Sequence, residues 1–259
     1  MMDGELVRLE YYCDLISVLI GKELKVRYKS TIFGYLWSVA NPLAFALTFF
    51  IAFRSALKIE IENYLVYLLV GMFPWQFFVN SITQSPSVFL SNANLIKKVT
   101  FPRIILIVAL IGNNAIHFVL ALPILFAFMA ISGVWPPVLG IIFIPILFLN
   151  QFLLILGLAS FLGTANLFFR DMENLTVVLT NMLFYLTPVL YQRESIPTEY
   201  QGFLNFNPMA LVIELWHQVL MYNQFDYLML LYSFIYNIVI LIVGLLLYFK
   251  LEKRFAEVV

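Results

Sequence analysis

Charge is what this sequence has least of. Only 12% of its 259 residues are Asp, Glu, Lys or Arg and 63% are apolar, against roughly 25% charged and 45–50% apolar in soluble domains. A soluble globule cannot hide that much apolar surface, so the chain reads as an integral membrane protein. Lys plus Arg number 15 and Asp plus Glu number 15; this zero formal charge gives no electrostatic ground for binding nucleic acid. Cys13 is the single cysteine, which excludes an intrachain disulfide and a thiol-rich metal centre. His117 and His217 are the only histidines and lie far apart, with no companion at ligand spacing, so no metal site is expected.

Catalytic signatures are missing as well. A Walker A loop wraps phosphate with glycine backbone N–H groups and follows with Lys and Ser or Thr; Gly21-Lys22 has neither the upstream glycine nor the hydroxyl. No nucleophile stands near an intramembrane base. Ion-coupled carriers place Asp, Glu or His at mid-membrane, and the apolar runs here carry almost none. No catalytic residue and no cofactor of its own is expected, and the energy source must lie elsewhere. Glu60 and Glu62 are the one acid pair an enzyme acting on lipid-linked sugars could use; two acids in a short polar loop are more simply solvated. The first residues, with Asp3, Glu5, Glu10 and Asp14, lack the positive flank of a cleavable signal, so insertion through a full spanning helix is expected.

What is present is long apolar sequence. Hydrocarbon about 30 Å thick takes roughly 20 apolar residues per helix, and five stretches are free of charge: Ser30 to Phe53, Asn63 to Ile96, Ile104 to Phe169, Asn174 to Gln192 and Tyr227 to Phe249. Gly133-Val134-Trp135-Pro136-Pro137 divides the third, because paired prolines remove donors and force a turn. The expectation is an all-α membrane protein, one domain over 1–259, with six spans at 31–54, 64–90, 104–132, 137–168, 173–191 and 227–249. If the N-terminus is inside, Arg8, Lys22, Lys25, Arg27, Lys29, Lys97, Lys98, Arg103, Arg170, Lys250, Lys253 and Arg254 are cytoplasmic. Only Arg54, Lys58 and Arg193 are outside. The positive-inside rule then puts both termini in the cytoplasm.

Four segments are not plain spans. Residues 12–29 form a helical pattern in which Lys22, Lys25 and Lys29 share a narrow face at 100° per residue and Glu23 and Arg27 stand at i,i+4. Such a helix lies in the cytoplasmic interface; Lys22, Lys25, Arg27 and Lys29 would meet anionic headgroups, each worth about 1 kcal/mol near a charged surface. Simple anchoring is the plainer reading. Residues 91–102 make a short cytoplasmic helix that Ser91 or Asn92 can cap and Pro102 ends; by itself it is a solvated loop. Phe168-Phe169-Arg170-Asp171-Met172-Glu173 is a tight charged turn where Arg170 can pair with Asp171 or Glu173. Residues 193–226, with Phe206, Trp216, Pro197 and Pro208, are too apolar for a free outer loop and fit short helices dipping into the outer leaflet, as a gate or a lid. Glu214 and His217 are spaced to share one face there. Aromatic residues Tyr35, Trp37, Phe73, Trp75, Phe78 and Tyr185 offer rings that stack on sugar faces without a fixed hydrogen-bond pattern, although packing and interfacial belts use the same residues.

Arg27-Tyr28-Lys29-Ser30-Thr31-Ile32-Phe33-Gly34-Tyr35-Leu36-Trp37-Ser38 with Asn41-Pro42-Leu43 resembles the start of the first span in polysaccharide-exporting ABC permeases. Gly71-Met72-Phe73-Pro74-Trp75-Gln76-Phe77-Phe78, Leu95-Ile96-Lys97-Lys98-Val99-Thr100-Phe101-Pro102, Phe168-Phe169-Arg170-Asp171-Met172, Thr187-Pro188-Val189-Leu190-Tyr191 and Asn207-Pro208-Met209 are similar in order and spacing along nearly the whole chain. The resemblance implies a permease that pairs with a second copy of itself and two cytoplasmic ATPase subunits, which bind ATP and Mg. The cargo it implies is a lipid-linked polysaccharide, with O antigen on undecaprenyl pyrophosphate favoured, carried across a bacterial inner membrane. It also implies that 91–102 is a coupling helix docking on the ATPase through Asn94, Leu95, Lys97, Lys98 and Phe101, with Arg170 and Asp171 facing the same machinery or the substrate entrance. Phe206, Pro208, Glu214, Trp216 and His217 become the periplasmic gate, and the six named rings become the glycan passage. The alternatives are a permease for a drug or small lipid, an enzyme using Glu60 and Glu62, and a scaffold subunit.

Overall fold

A computed structural model describes residues 2–28, 36–56 and 61–255. Among them are α1 (Met2–Tyr28), α2 (Leu36–Ala56), α3 (Tyr64–Gln84), α4 (Val88–Ser91), α5 (Ala93–Lys98), α6 (Ile104–Ile131), α7 (Val138–Phe168), α8 (Met172–Leu186), α9 (Thr198–Leu204), α10 (Pro208–Leu220) and α11 (Tyr227–Leu251), with 3-10 turns at Arg193–Ser195 and Glu252–Arg254. The described residues contain helices and turns and no strand, as backbone in hydrocarbon requires when no barrel closes.

Four of these helices are long and apolar enough to cross a membrane: α3, α6, α7 and, with its 3-10 extension, Tyr227–Arg254. The chain is therefore a multi-pass membrane protein. Of the other two expected spans, α2 is 21 residues long and free of charge from Leu36 to Phe53, and α8 differs. The 173–191 span is overestimated as a helix: α8 has 15 residues, about 22 Å at 1.5 Å per residue. It stops at Leu186 because Thr187 precedes Pro188 and is extended, at φ −107 and ψ 135, as a residue before proline prefers. The N-terminal helix also differs, beginning at Met2 rather than near residue 12. Asp3, Glu5 and Glu10 blur the amphipathic pattern but do not break a helix.

The break between α6 and α7 is built as a Schellman turn. Gly133 has φ 72, its N–H reaches Ala130 O at 3.1 Å, and Val134 N–H reaches Met129 O at 2.9 Å, satisfying carbonyls the helix end would leave open. Pro136 and Pro137 then start α7 in a new direction.

At the centre stands α3, which packs on α2, α6, α7, α8 and α10; 78% of its most apolar window is buried, against 17% for the last helix. α7 and α11 pack most extensively of all. Their approach depends on Gly157, where a Cβ would lie 2.6 Å from Leu241 Cα, and on Gly244, where one would overlap the Gly157 carbonyl. Small residues allowing backbone contact are a usual means of joining helices in lipid. The same pair is pinned by polar groups, with Asn150 Nδ2 donating to Ser233 Oγ at 2.8 Å and Asn237 Nδ2 donating to Asn150 Oδ1 at 2.9 Å. α1 packs along α6 through Leu19, which is buried, and through Leu15, Ile16 and Ile20.

Candidate functional site

At one end of the bundle, α4 and α5 make a small knob. Asn92 is its joint, but the expected capping by Ser91 or Asn92 is not what the side chains do. Asn92 Nδ2 donates back to Val88 O at 2.9 Å and closes the end of α4, and α5 has no side-chain cap. Ile96 is buried, Leu95 and Phe101 pack partly against the core, and Asn94, Lys97 and Lys98 point to the exterior. The helix ends at Lys98 because Val99 is extended, well before Pro102.

The knob is carried by residues the sequence did not single out. Phe89 of α4 lies 4.9 Å from Phe255 and 6.2 Å from Tyr248, ring centre to ring centre. Arg103 donates to the Glu252 carbonyl and stands 5.7 Å over the Phe255 ring, a cation–π contact. Tyr248 OH donates to Glu252 Oε1 at 2.8 Å, and Asn166 Nδ2 donates to Pro86 O at 2.9 Å. The ends of α7 and α11 thus form its seat. The Arg103 and Asn166 ties span 80 residues or more, and no local pattern announces them.

Arg170 and Asp171 are exposed at the turn into α8. The expected pairing of Arg170 with Asp171 or Glu173 is not formed; Arg193–Glu214 is the ion pair found among the described residues. Lys22 and Lys25 on α1 are exposed. Lys29, Tyr35, Glu60 and the side chain of Arg27 lie outside the described residues. Glu62 is exposed.

The aromatic set divides. Trp37 and Tyr185 are 57% and 65% exposed, whereas Phe73, Trp75 and Phe78 are at most 4% exposed. Those three are corrected from passage lining to core packing: they sit on the central helix, and Trp75 packs 5.5 Å from Phe78 and 5.4 Å from Phe184. A ring already surrounded by its own chain has no face left for a sugar.

The segment 193–226 is folded down onto the bundle. Pro208 opens α10 at its first turn while Asn207 Oδ1 accepts from Met209 N at 3.0 Å and Ala210 N at 3.3 Å, the preferred N-cap chemistry. Asn207 Nδ2 also donates to Thr187 Oγ1 at 2.9 Å, tying the start of α10 to the end of α8. Trp216 Nε1 donates to Gln151 Oε1 at 3.1 Å, and Gln151 Nε2 donates to Pro74 O at 2.7 Å, so a polar thread joins α10, α7 and α3. His217 lies flat on Tyr67, 3.9 Å between ring centres and 5° between planes, with Nε2 3.0 Å from Tyr67 O. A carbonyl partner requires the proton on that nitrogen. Burial holds the imidazole down at about 4, so it is neutral. Gly71 makes room: a Cβ there would stand 3.2 Å from the His217 ring.

Glu214 and His217 do share a face, lining one small cavity with Tyr67, Gln192 and Tyr222. Arg193 organises its rim, giving Nη1 to Glu214 Oε2 at 3.0 Å and Nη2 to Asn205 Oδ1 at 2.8 Å. Burial raises the Glu214 carboxyl above its ordinary value, and the Arg193 charge opposes that. Phe206 remains exposed, Pro208 is half-buried and Trp216 is buried.

The chain is similar in sequence to known proteins. The O-antigen export system permease protein RfbA of Klebsiella pneumoniae is 38% identical over 250 residues, 96% of each chain. An RfbA of Myxococcus xanthus is 32% identical over 79% of this chain and 80% of that protein. The polysialic acid transport protein KpsM of Escherichia coli is 22% identical over 92% of this chain and 93% of that protein. The pattern of the ABC-2 type transporter family matches residues 14–225, and the chain belongs to that family.

Proposed function

We propose that this chain is the permease of an ATP-driven exporter moving a lipid-linked polysaccharide, O antigen on undecaprenyl pyrophosphate, from the cytoplasmic to the outer face of a bacterial inner membrane. The observation that carries the reading is identity to an O-antigen export permease over nearly the full length of both chains. With no nucleotide-binding loop in the sequence, ATP and Mg belong to two partner ATPase subunits. The exposed Asn94, Lys97 and Lys98 on a helix seated by Ile96 and Phe89 suit a surface gripped by such a partner, and the exposed Arg170 and Asp171 suit a further contact with it.

Six spans are completed by α2 and α8, with both termini cytoplasmic as the Lys and Arg distribution favours. The substrate passes between two copies of the chain. Trp37 and Tyr185, open on the surface of one copy, suit a wall shared by two, and Lys22 and Lys25 on α1 suit the pyrophosphate headgroup. The α9–α10 segment closes the outer end. Deletion of the gene is expected to remove surface polysaccharide and to leave it on its lipid carrier inside the cell; normal surface polysaccharide in the deletion strain would reject the reading.

A further inference from the structure

The knob formed by α4 and α5 is held in two different ways. To its neighbours in sequence it is joined by short non-helical links, residues 85–87 after α3 and 99–103 before α6, with Val99 extended at φ −130 and ψ 137. Links of this kind are where a chain absorbs backbone rotation. To helices remote in sequence it is joined by close packing. Phe89, Tyr248 and Phe255 are each fully buried and form a three-ring cluster. Phe89 lies 4.9 Å from Phe255, and Phe255 lies 5.7 Å from Tyr248 with the two planes at 81°. Edge-to-face rings prefer a defined geometry that aliphatic packing lacks. Arg103 locks the cluster from the start of α6, donating to the Glu252 carbonyl and covering the Phe255 ring. On α7, Gly163 lets α4 come close, since a Cβ there would stand 3.0 Å from Ser85 O and 3.2 Å from the Phe89 ring.

The seat beneath the knob is itself one stiff body. α7 and α11 meet backbone to backbone at Gly157 and Gly244 and share the hydrogen bonds of Asn150, Ser233 and Asn237. The outer segment rests on the same pair, because α10 packs on both α7 and α11 and Trp216 donates to Gln151 of α7. Close-packed interiors transmit displacement with little compression, whereas the links at 85–87 and 99–103 bend. A push on the exposed face of Asn94, Lys97 and Lys98 is therefore received by the α7–α11 pair.

We infer that Phe255 and Arg103 are positioning residues of the exporter, fixing the knob to the α7–α11 pair so that movement imparted by the ATPase reaches the outer segment. The inference rests on the export reading given above and adds to it the joint through which ATP hydrolysis is turned into passage. Phe255 acts through Phe89, and Arg103 acts through Phe255 and the Glu252 carbonyl.

The test uses the full chain in complex with its ATPase, reconstituted in liposomes with carrier-linked polysaccharide, and reads both ATP hydrolysed and polysaccharide moved. Phe255→Ala is expected to lower the polysaccharide moved per ATP about tenfold and Arg103→Gln about threefold, the equivalent of losing ring and cation–π contacts. Complex yield and ATP hydrolysis should stay within about twofold of wild type, as expected for residues remote from the nucleotide. Arg103→Lys, which keeps a cationic donor, should retain most of the wild-type ratio. Hydrogen exchange gives a second reading: a non-hydrolysable ATP analogue should alter exchange in both 88–98 and 244–255 of the wild-type permease, and in 88–98 alone in the two weakened variants. Because Phe255→Ala removes a buried ring and could prevent folding, the half-buried Arg103 decides the case where no Phe255→Ala complex forms. A wild-type ratio in the variants, or transport and hydrolysis falling together in proportion to folded complex, overturns the inference and leaves the cluster as packing. If the wild-type complex hydrolyses ATP and moves no polysaccharide, the export reading falls; if it moves polysaccharide and the variants match its ratio, the positioning role alone falls.

Discussion

The insert at 88–103 and the segment at 193–226 both interrupt apolar runs with short helices and both contain proline and paired polar residues, yet they meet their surroundings in opposite ways. The first keeps its polar side open: Asn94, Lys97 and Lys98 are exposed while Phe89 and Ile96 are buried beneath them. The second turns its polar groups inward, through Trp216 to Gln151, His217 to Tyr67 and Arg193 to Glu214. A surface that must be gripped by a partner needs unsatisfied polar groups outside and a firm seat below. A cover over a bundle needs the reverse, because each buried polar atom left without a partner costs about 1–3 kcal/mol.

The sharpest way to break this contrast is charge reversal on the open surface. Lys97→Glu with Lys98→Glu should abolish polysaccharide export and ATPase co-purification while the thermal midpoint of the isolated permease stays near wild type, since surface changes cost little stability. A large fall in that midpoint would show that the two lysines serve the fold. On the closed surface the largest effect belongs to Trp216→Ala, which removes a buried ring and strands Gln151 Oε1; about 3–5 kcal/mol of stability should be lost in denaturant titration. Glu214→Ala leaves Arg193 uncompensated in a partly buried position and should cost roughly 1–3 kcal/mol. The double change with Arg193→Met should recover part of that loss if the pair is coupled.

Acidity offers an independent probe of the same cover. His217 is neutral in the folded chain and titrates at about 4 rather than near its ordinary 6.5. Below pH 6.5 the unfolded chain takes up a proton that the native chain refuses, so stability falls as pH drops from about 6.5 toward 4. His217→Gln should flatten that part of the profile in thermal unfolding; an unaltered slope would remove His217 as its cause. The smallest effect is expected at the knob's joint: Asn92→Ala loses one side-chain bond to Val88 O in a half-exposed position, about 0.5–1.5 kcal/mol, visible as faster hydrogen exchange in α4.

Much of the long architecture was legible because length and lack of charge are local signals. The helices α3, α6, α7 and α11 follow the charge-free stretches within a few residues, apart from α3, which stops at Gln84 before the separate α4. The break at Gly133 was visible from the prolines beyond it. The short reach of α8 was also written in Thr187-Pro188, though the apolar run concealed it. What hydropathy does not encode is which side of an apolar helix faces inward. Phe73, Trp75 and Phe78 look no different in sequence from Trp37 and Tyr185; only the crowding of α3 by five neighbouring helices turns the first three into packing residues. Long-range polar ties such as Trp216 to Gln151 and Arg103 to Glu252 were equally silent, since each residue on its own resembles an ordinary interfacial or positive-inside side chain.

Outward movement of lipid-linked polysaccharide by this chain and its ATPase is tested most directly by reconstituting both proteins in liposomes, with the ATPase facing the outside medium. Radiolabelled carrier-linked polysaccharide added to the outer leaflet should become protected from an added glycan hydrolase when ATP and Mg are supplied, and should remain exposed with the Lys97→Glu, Lys98→Glu permease. Equal protection with and without ATP, or none with the intact complex despite active ATP hydrolysis, would contradict it.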